Sequence, residues 1–145
     1  MINLGKIKIG KNLPPVVIID LGINHSGSLD KAIYLSDLAI KNGARIIKHQ
    51  THIAHEEMSV EAKKIIPGNA NSSIFSIIKR YSLSYRDEKK LMNYIKQKKC
   101  IFISTPFCKA AVDRLVEFKI PLFKIGSGEC NNYPLVEYIC SKRKP

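Results

Sequence analysis

Short apolar runs alternate with longer amphipathic stretches along most of this chain, and that alternation is the pattern of βα units feeding a parallel sheet. Leaving aside the first dozen residues, four such units can be read in the 145 residues. Val16 to Asp20 (VVIID) is a β-branched run that ends in a carboxylate and enters the turn-rich stretch Leu-Gly-Ile-Asn-His-Ser-Gly. Ser28 is the expected N-cap of a helix to about Asn42, with Ala32, Leu35 and Ala39 on one face and Gly43 as the stop. Further strands are expected at Arg45 to Gln50 (RIIKHQ), Cys100 to Ser104 (CIFIS) and Leu122 to Ile125 (LFKI). Ser84 and Asp87 form an S-x-x-D cap for a helix that carries Leu91 and Ile95 inward.

Four βα units are half of an eight-stranded barrel, whose usual length is about 250 residues. The expected fold is therefore α/β, the first half of a (β/α)8 TIM-type barrel that stops before a fifth strand; an open flavodoxin-like sheet is the alternative. The stretch from Thr51 to Leu83, with Pro-Gly-Asn-Ala-Asn-Ser-Ser at 67 to 73, is too long for an ordinary βα connection, and such segments are usually functional or mobile. No linker or low-complexity tract divides residues 1–145 into two domains.

The 24 basic and 12 acidic side chains leave a formal charge of +12, which raises nucleic acid, a membrane surface or an acidic small substrate as partners. The basic residues fall one cluster per segment (Lys63 and Lys64, Lys79 and Arg80, Lys89 and Lys90, Lys98 and Lys99) with few interleaved aromatics. They read as solvated helix faces, so neither nucleic acid nor membrane is expected. No run approaches the roughly 18 apolar residues of a membrane span, and the opening MINLGKIKIGKN lacks the shape of a secretion leader. Cys100, Cys108, Cys130 and Cys140 form no C-x-x-C pair and read as small core residues of a reduced, cytoplasmic protein.

In a parallel α/β protein, functional groups gather at the carboxyl ends of the strands. Asp20 stands at that end of the first expected strand, Lys48 and Gln50 of the second, Ser104, Thr105 and Phe107 of the third, and Lys124, Ser127 and Glu129 of the fourth. Lys48 and Lys124 are the sharper signal, because a buried ammonium needs an anion to compensate it. Two such lysines at one mouth would clamp a phosphate or carboxylate; alternatively each pairs with a neighbouring carboxylate such as Asp20 or Glu129. Gly126-Ser127-Gly128 adds a turn whose N–H groups and hydroxyl suit an anion. His49, His52 and His55 are spaced three apart, but His49 should point away from Lys48 and Gln50, so no metal site is expected from them.

Five ordered blocks carry a resemblance: Gly-Ile-Asn-His-Ser-Gly at 22–27, Ile-Ile-Lys-His-Gln-Thr at 46–51, Ile-Pro-Gly-Asn-Ala at 66–70, Ile-Ser-Thr-Pro-Phe at 103–107 and Phe-Lys-Ile-Gly-Ser-Gly-Glu-Cys-Asn-Asn-Tyr-Pro-Leu at 123–135. Together, over about Val16 to Pro145, they resemble the sialic acid synthase family, which includes N-acetylneuraminate synthase and its legionaminic and pseudaminic acid relatives. The KHQT and PGNA forms are nearer the N-acetylneuraminate and legionaminate branch.

The resemblance implies a (β/α)8 barrel followed by an antifreeze-like domain, a homodimer, and condensation of phosphoenolpyruvate with an N-acetylated hexose using Mn2+ or Mg2+. By motif, Lys48, Thr105, Lys124 and Ser127 resemble phosphoenolpyruvate-binding residues, and Gln50, Asn69 and Phe107 resemble those lining the sugar site. Glu129 and Asp20 resemble the family's working carboxylates, with aspartate here where the family usually has glutamate. The family's metal ligands, the second half of the barrel and the antifreeze-like domain have no counterpart in these residues, so the chain resembles a truncated synthase with no turnover of its own. The alternatives are a Schiff-base aldolase using Lys48 or Lys124, and a non-catalytic fragment.

Overall fold

The computed structural model describes residues 2–4 and 7–145. Two short strands precede the repeating units: β1 (Ile2–Leu4) and β2 (Ile7–Ile9) pair antiparallel. Ile7 is buried with Ile46 and Ile103, and Ile9, Val16, Ile101 and Leu122 pack around them. An apolar side chain from β2 thus covers one end of the sheet that follows.

That sheet is parallel, in the order β3 (Ile18–Gly22), β4 (Ile46–Thr51), β5 (Ile101–Pro106). The first strand begins and ends two residues later than its sequence suggests. Pro14 and Pro15 come just before it, and pairing with β4 starts at Ile18 and continues through Gly22 opposite His49, across an irregularity between Asp20 and Gly22. Asp20 is therefore inside the strand, opposite Lys48. β4 and β5 similarly reach farther along than expected, to Thr51 and Pro106, because their ladder continues through Gln50↔Thr105 and Thr51↔Pro106.

The fourth expected strand does not form as one. Leu122 to Ile125 is reduced to a single parallel bridge, Ser104↔Phe123, with Lys124 N–H donating to the Ser104 carbonyl at 3.1 Å. The Phe123 N–H, which points to the side away from β5, donates to the carbonyl of Pro145 at 2.9 Å.

Helices cover one face of the sheet. α1 (Leu29–Lys41) starts at Ser28, whose hydroxyl accepts from the Lys31 N–H, and Gly43 follows its end at φ +92°. The long 51–83 connection is largely folded: α2 (Ala54–Glu57), a 3-10 turn at Ala62–Lys64, and α3 (Ile74–Tyr81) capped by Ser73. It is tied to the first loop at Gly27, φ +80°, where a Cβ would come within 2.5 Å of the Arg80 carbonyl oxygen, so no larger residue fits. α4 (Tyr85–Gln97) has the expected Ser84 cap and buries Leu91, Met92 and Ile95. α5 (Lys109–Glu117), a 3-10 turn at Ser127–Glu129 and α6 (Tyr133–Ser141) complete the described chain.

The main core lies between sheet and helices and includes Ile47, Phe102, Leu91, Ile95, Val112 and Leu115. Cys100 and Cys108 belong to buried regions, but Cys130 and Cys140 are exposed, contrary to the core reading of all four. Both sit beyond β5, Cys130 in the turn before α6 and Cys140 near the end of α6, where no further layer covers them. Among the described residues, no helix is long and apolar enough to cross a membrane.

Candidate functional site

Strand alternation divides β4 into two sets of side chains. Ile47, His49 and Thr51 face the helices; Ile46, Lys48 and Gln50 face the opposite, inner side, where β5 contributes Ile103 and Thr105 through the register Lys48↔Ile103 and Gln50↔Thr105.

On the inner side Lys48 is buried, and its ammonium meets the Asp20 carboxylate at 2.9 Å. The neighbouring-carboxylate alternative therefore holds for Lys48. The pair is lopsided, since the Asp20 side chain is 58% exposed and the Lys48 side chain 8%; water competes for the acid but hardly for the ammonium. Opposite Gln50 on β5, Thr105 is 1% exposed and its hydroxyl has no hydrogen-bond partner among the described residues. Buried hydroxyls without partners are uncommon, and this one lies on the same face as Lys48.

Gly126 draws the next group together. A Cβ built there would meet the Thr105 methyl at 3.3 Å, the Phe107 ring at 3.6 Å and the Glu129 Cγ at 3.7 Å, so all three converge on a glycine that a side chain would displace. Glu129 is half-buried and accepts from Asn132 Nδ2 at 2.7 Å. Phe107 stacks on His52 with ring centroids 4.1 Å apart, and Glu129, Phe107, His52 and Glu57 share a cavity of about 220 Å3. Gly22, at φ +53°, lies between Asp20 and Gln50 on the same side: its Cβ would fall 3.3 Å from Asp20 Oδ1 and 3.8 Å from Gln50 Cδ.

The residues picked from sequence thus separate. Asp20, Lys48, Gln50, Thr105, Phe107 and Glu129 are connected through register, the ion pair and the two glycines. Lys124 is half-buried and has no carboxylate within ion-pair distance among the described residues. Ser127 is exposed on its 3-10 turn, and Asn69 is exposed on the turn closed by Ala70 N–H to the Pro67 carbonyl. The three histidines do not meet: His49 packs on His25 and Phe102, His52 on Phe107, His55 on Phe75. Among the described residues no three His, Cys, Asp or Glu side chains are disposed to hold a metal ion.

Sequence reading missed a buried polar network on the helix side. Glu88 of α4 is 1% exposed; it accepts from the Thr51 hydroxyl and from Arg114 Nη1 at 3.0 Å, and Thr51 and Ser104 hydroxyls lie 2.7 Å apart. Burial pushes the Glu88 carboxyl up, against the opposing pull of Thr51 and Arg114. Burial also lowers His49 to about 3 and His25 to about 4, so both rings are neutral, and the 3.7 Å approach of His49 to Glu88 is not an ion pair. A signal was available: Glu88 shares the inward stripe of Leu91, Met92 and Ile95, where a carboxylate needs an explanation. The pairing of His52 with Glu57 was missed because it depends on how the 51–83 connection folds.

Residues 35–145 match the model of a family described as the NeuB family. The chain is 33% identical over 133 residues to N,N'-diacetyllegionaminic acid synthase of Campylobacter jejuni, covering 89% of this chain and 40% of that protein. It is 32% identical over 139 residues to the spore coat polysaccharide biosynthesis protein SpsE of Bacillus subtilis, covering 94% of this chain and 37% of that one. The crystal structure of N-acetylneuraminic acid (sialic acid) synthetase from Leptospira borgpetersenii, in complex with citrate, superposes with a TM-score of 0.81 at 28% identity, over 94% of this chain and 45% of that one. The chain spans about 40% of the length of the curated relatives it matches, and its α/β units are a partial barrel of their kind. Matched across most of its length in both sequence and fold, the chain belongs to the NeuB family.

Proposed function

We propose that this chain supplies the phosphoenolpyruvate-binding side of a nonulosonic acid synthase, with the remaining units of the barrel, an antifreeze-like domain and homodimer formation needed for a complete site. The observation that carries the reading is the pairing of a buried ammonium, Lys48, with a buried, unpartnered hydroxyl, Thr105, on one face of the sheet. An anionic ligand with several oxygens satisfies both at once, and the exposed Asp20 carboxylate is easily displaced or reoriented toward water.

In the proposed reaction, carbon 3 of phosphoenolpyruvate forms a bond to the aldehyde carbon of an open-chain N-acetylated hexose. Water adds at carbon 2, and the adduct releases phosphate by C–O cleavage, leaving a 2-keto acid. Lys48 and Lys124 hold the negative charge of the phosphoenolpyruvate, with Thr105 and Ser127 donating hydroxyl hydrogen bonds. Gln50, Asn69 and Phe107 line the sugar's place. Glu129, oriented by Asn132, moves a proton at the aldehyde oxygen or the attacking water.

The resemblance also implies a divalent metal, Mn2+ or Mg2+, which would polarise the aldehyde. The described residues do not fit one by themselves, so no step above depends on it.

The test is phosphoenolpyruvate binding, read by saturation-transfer NMR, in the wild-type chain and in Thr105→Val, which keeps shape and removes the hydroxyl. Losing a hydrogen bond to a charged group, about 1.5–3 kcal/mol, predicts binding weaker by roughly tenfold or more. Equal binding by the two would overturn the reading. The 145-residue chain alone is expected to release no phosphate from phosphoenolpyruvate and N-acetylmannosamine with Mn2+ present, and detectable turnover would show that the site is complete without further polypeptide.

A further inference from the structure

Beside Lys48 and Thr105 lies a second space of different chemistry. Phe107 and Glu129, which meet Thr105 at Gly126, also wall the cavity of about 220 Å3. Its other side is built by the folded 51–83 connection: Met58 at the end of α2, and Ile74 and Ile78 one turn apart on α3. Pockets that take a whole small molecule run to about 300–1,000 Å3, so this one suits a single substituent of a ligand whose remainder lies outside it.

Met58, Ile74, Ile78 and Phe107 present apolar surface, and the stack of Phe107 on His52 holds that wall flat. The charged groups on the wall are two carboxylates, and among the described residues no lysine or arginine lines the cavity. Glu57 has its oxygens 3.1 and 3.0 Å from His52 Nδ1, and Glu129 accepts from Asn132 Nδ2 at 2.7 Å. An anionic substituent entering here meets two like charges with no cation to offset them. A hydroxyl exchanges most of its hydration for apolar walls, whereas a methyl group gains by leaving water.

We infer that this cavity is a specificity subsite, one that takes an uncharged, methyl-bearing substituent of the acceptor sugar and rejects a carboxylate or phosphate at the same position. The methyl comes from an acylamino group or from a 6-deoxy carbon. The preference for methyl over charge follows from the walls of the cavity; that the ligand is a sugar rests on the proposed function.

Methyl NMR of the 145-residue chain, labelled at isoleucine and methionine, tests this by titration with D-mannose, N-acetylmannosamine and 6-deoxy-D-mannose. One of the two methyl-bearing sugars is expected to shift the Met58, Ile74 and Ile78 methyls and to bind about fourfold more tightly than mannose, the worth of one buried methyl. Whichever sugar does so identifies the source of the methyl. Its charged counterpart, N-carboxyacetylmannosamine or mannuronate, should bind at least about tenfold more weakly. Ile74→Thr, at a half-buried position, should abolish the advantage over mannose while leaving the circular dichroism spectrum unchanged.

Mannose binding as tightly as both methyl-bearing sugars, or a charged counterpart binding as well as its methyl parent, would overturn the subsite. If phosphoenolpyruvate binds through Lys48 and Thr105 but no sugar moves the three methyls, the subsite fails and the anion site stands. If the methyls answer the sugar in a chain that binds no phosphoenolpyruvate, the subsite stands and the synthase reading fails.

Discussion

The two faces of β4 show opposite treatments of buried polar groups. On the helix side, Thr51, Ser104, Glu88 and Arg114 form a closed set in which the hydroxyls and the carboxylate find partners within the protein. Two imidazole nitrogens there, His25 Nε2 and His49 Nδ1, lack partners among the described residues, but both rings are neutral. On the inner side, among the described residues, Lys48 has one exposed partner and the Thr105 hydroxyl has none. Buried polarity in a finished network specifies and holds a fold, whereas polarity left open on a rigid strand is capacity for a ligand. The contrast predicts that outer-face changes act on stability and inner-face changes act on binding.

The largest expected effect is on the outer face. Glu88→Ala leaves the Arg114 guanidinium and the Thr51 hydroxyl without their shared acceptor, and breaking one side of a buried pair costs about 3–5 kcal/mol. Urea unfolding monitored by circular dichroism checks this; a loss below about 1 kcal/mol would mean the network is not holding the layers together.

Acid should act through the same face. His25 and His49 bind their protons at about 4 and about 3 in the folded chain, below the ordinary 6.5 of an unfolded histidine, so their contribution is full above 6.5 and is lost as pH falls from there toward the folded values. Each ring contributes a slope of roughly 1.4 kcal/mol per pH unit in that window. Glu88, shifted upward, works in the opposite direction and offsets part of it, because its folded form takes up a proton before the unfolded form does. The urea midpoint at pH 5 is therefore expected below that at pH 7, and His49→Gln should reduce the difference; a midpoint that is flat with pH would contradict the neutral, buried rings.

Inner-face changes should separate binding from stability. Lys48→Met removes a charge whose only ion-pair partner among the described residues is 58% exposed, so stability should change by less than about 1 kcal/mol. Phosphoenolpyruvate binding should fall by tens of fold, the loss of a charged hydrogen bond of about 1.5–3 kcal/mol. A smaller loss of binding is expected for Lys124→Ala, and the least for Lys109→Ala, whose ammonium lies on the outer layer 5.3 Å from the Tyr138 ring. Equal effects at Lys124 and Lys109 would place the anion elsewhere. Borohydride should trap no imine at Lys48 with a keto acid, because an amine nucleophile needs a free lone pair and Lys48 is engaged as an ion-pair donor.

Much of this was legible in local sequence, and the limits are physical. The period-2 pattern of IIKHQT placed Lys48 and Gln50 on one face and His49 on the other, and the Ser28 and Ser84 caps were read from side chains that bond within three residues. Lys48's partner, Asp20, could be named because both stand in strands that pair in register. The fourth strand was overread because apolar content marks a segment that can pair, while pairing itself depends on what lies alongside. Glu88 bonds to residues 37 and 26 positions away, and the His52–Glu57 pair depends on how the 51–83 connection folds; neither leaves a periodic trace. The openness of Thr105 was invisible for the same reason, since a missing partner is a property of the whole packing.

The most direct test of the central claim, that the inner face of the sheet is the anion site, is a titration of the isotope-labelled chain with phosphoenolpyruvate followed by backbone amide shifts. The account predicts that the moving resonances cluster at Gly22, Lys48 to Gln50, Thr105 and Gly126 to Glu129, and that they stay still in Lys48→Met. Shifts centred instead on the exposed basic cluster around Phe75, where Lys63 and Lys79 lie over the ring, with the inner face unmoved, would contradict it.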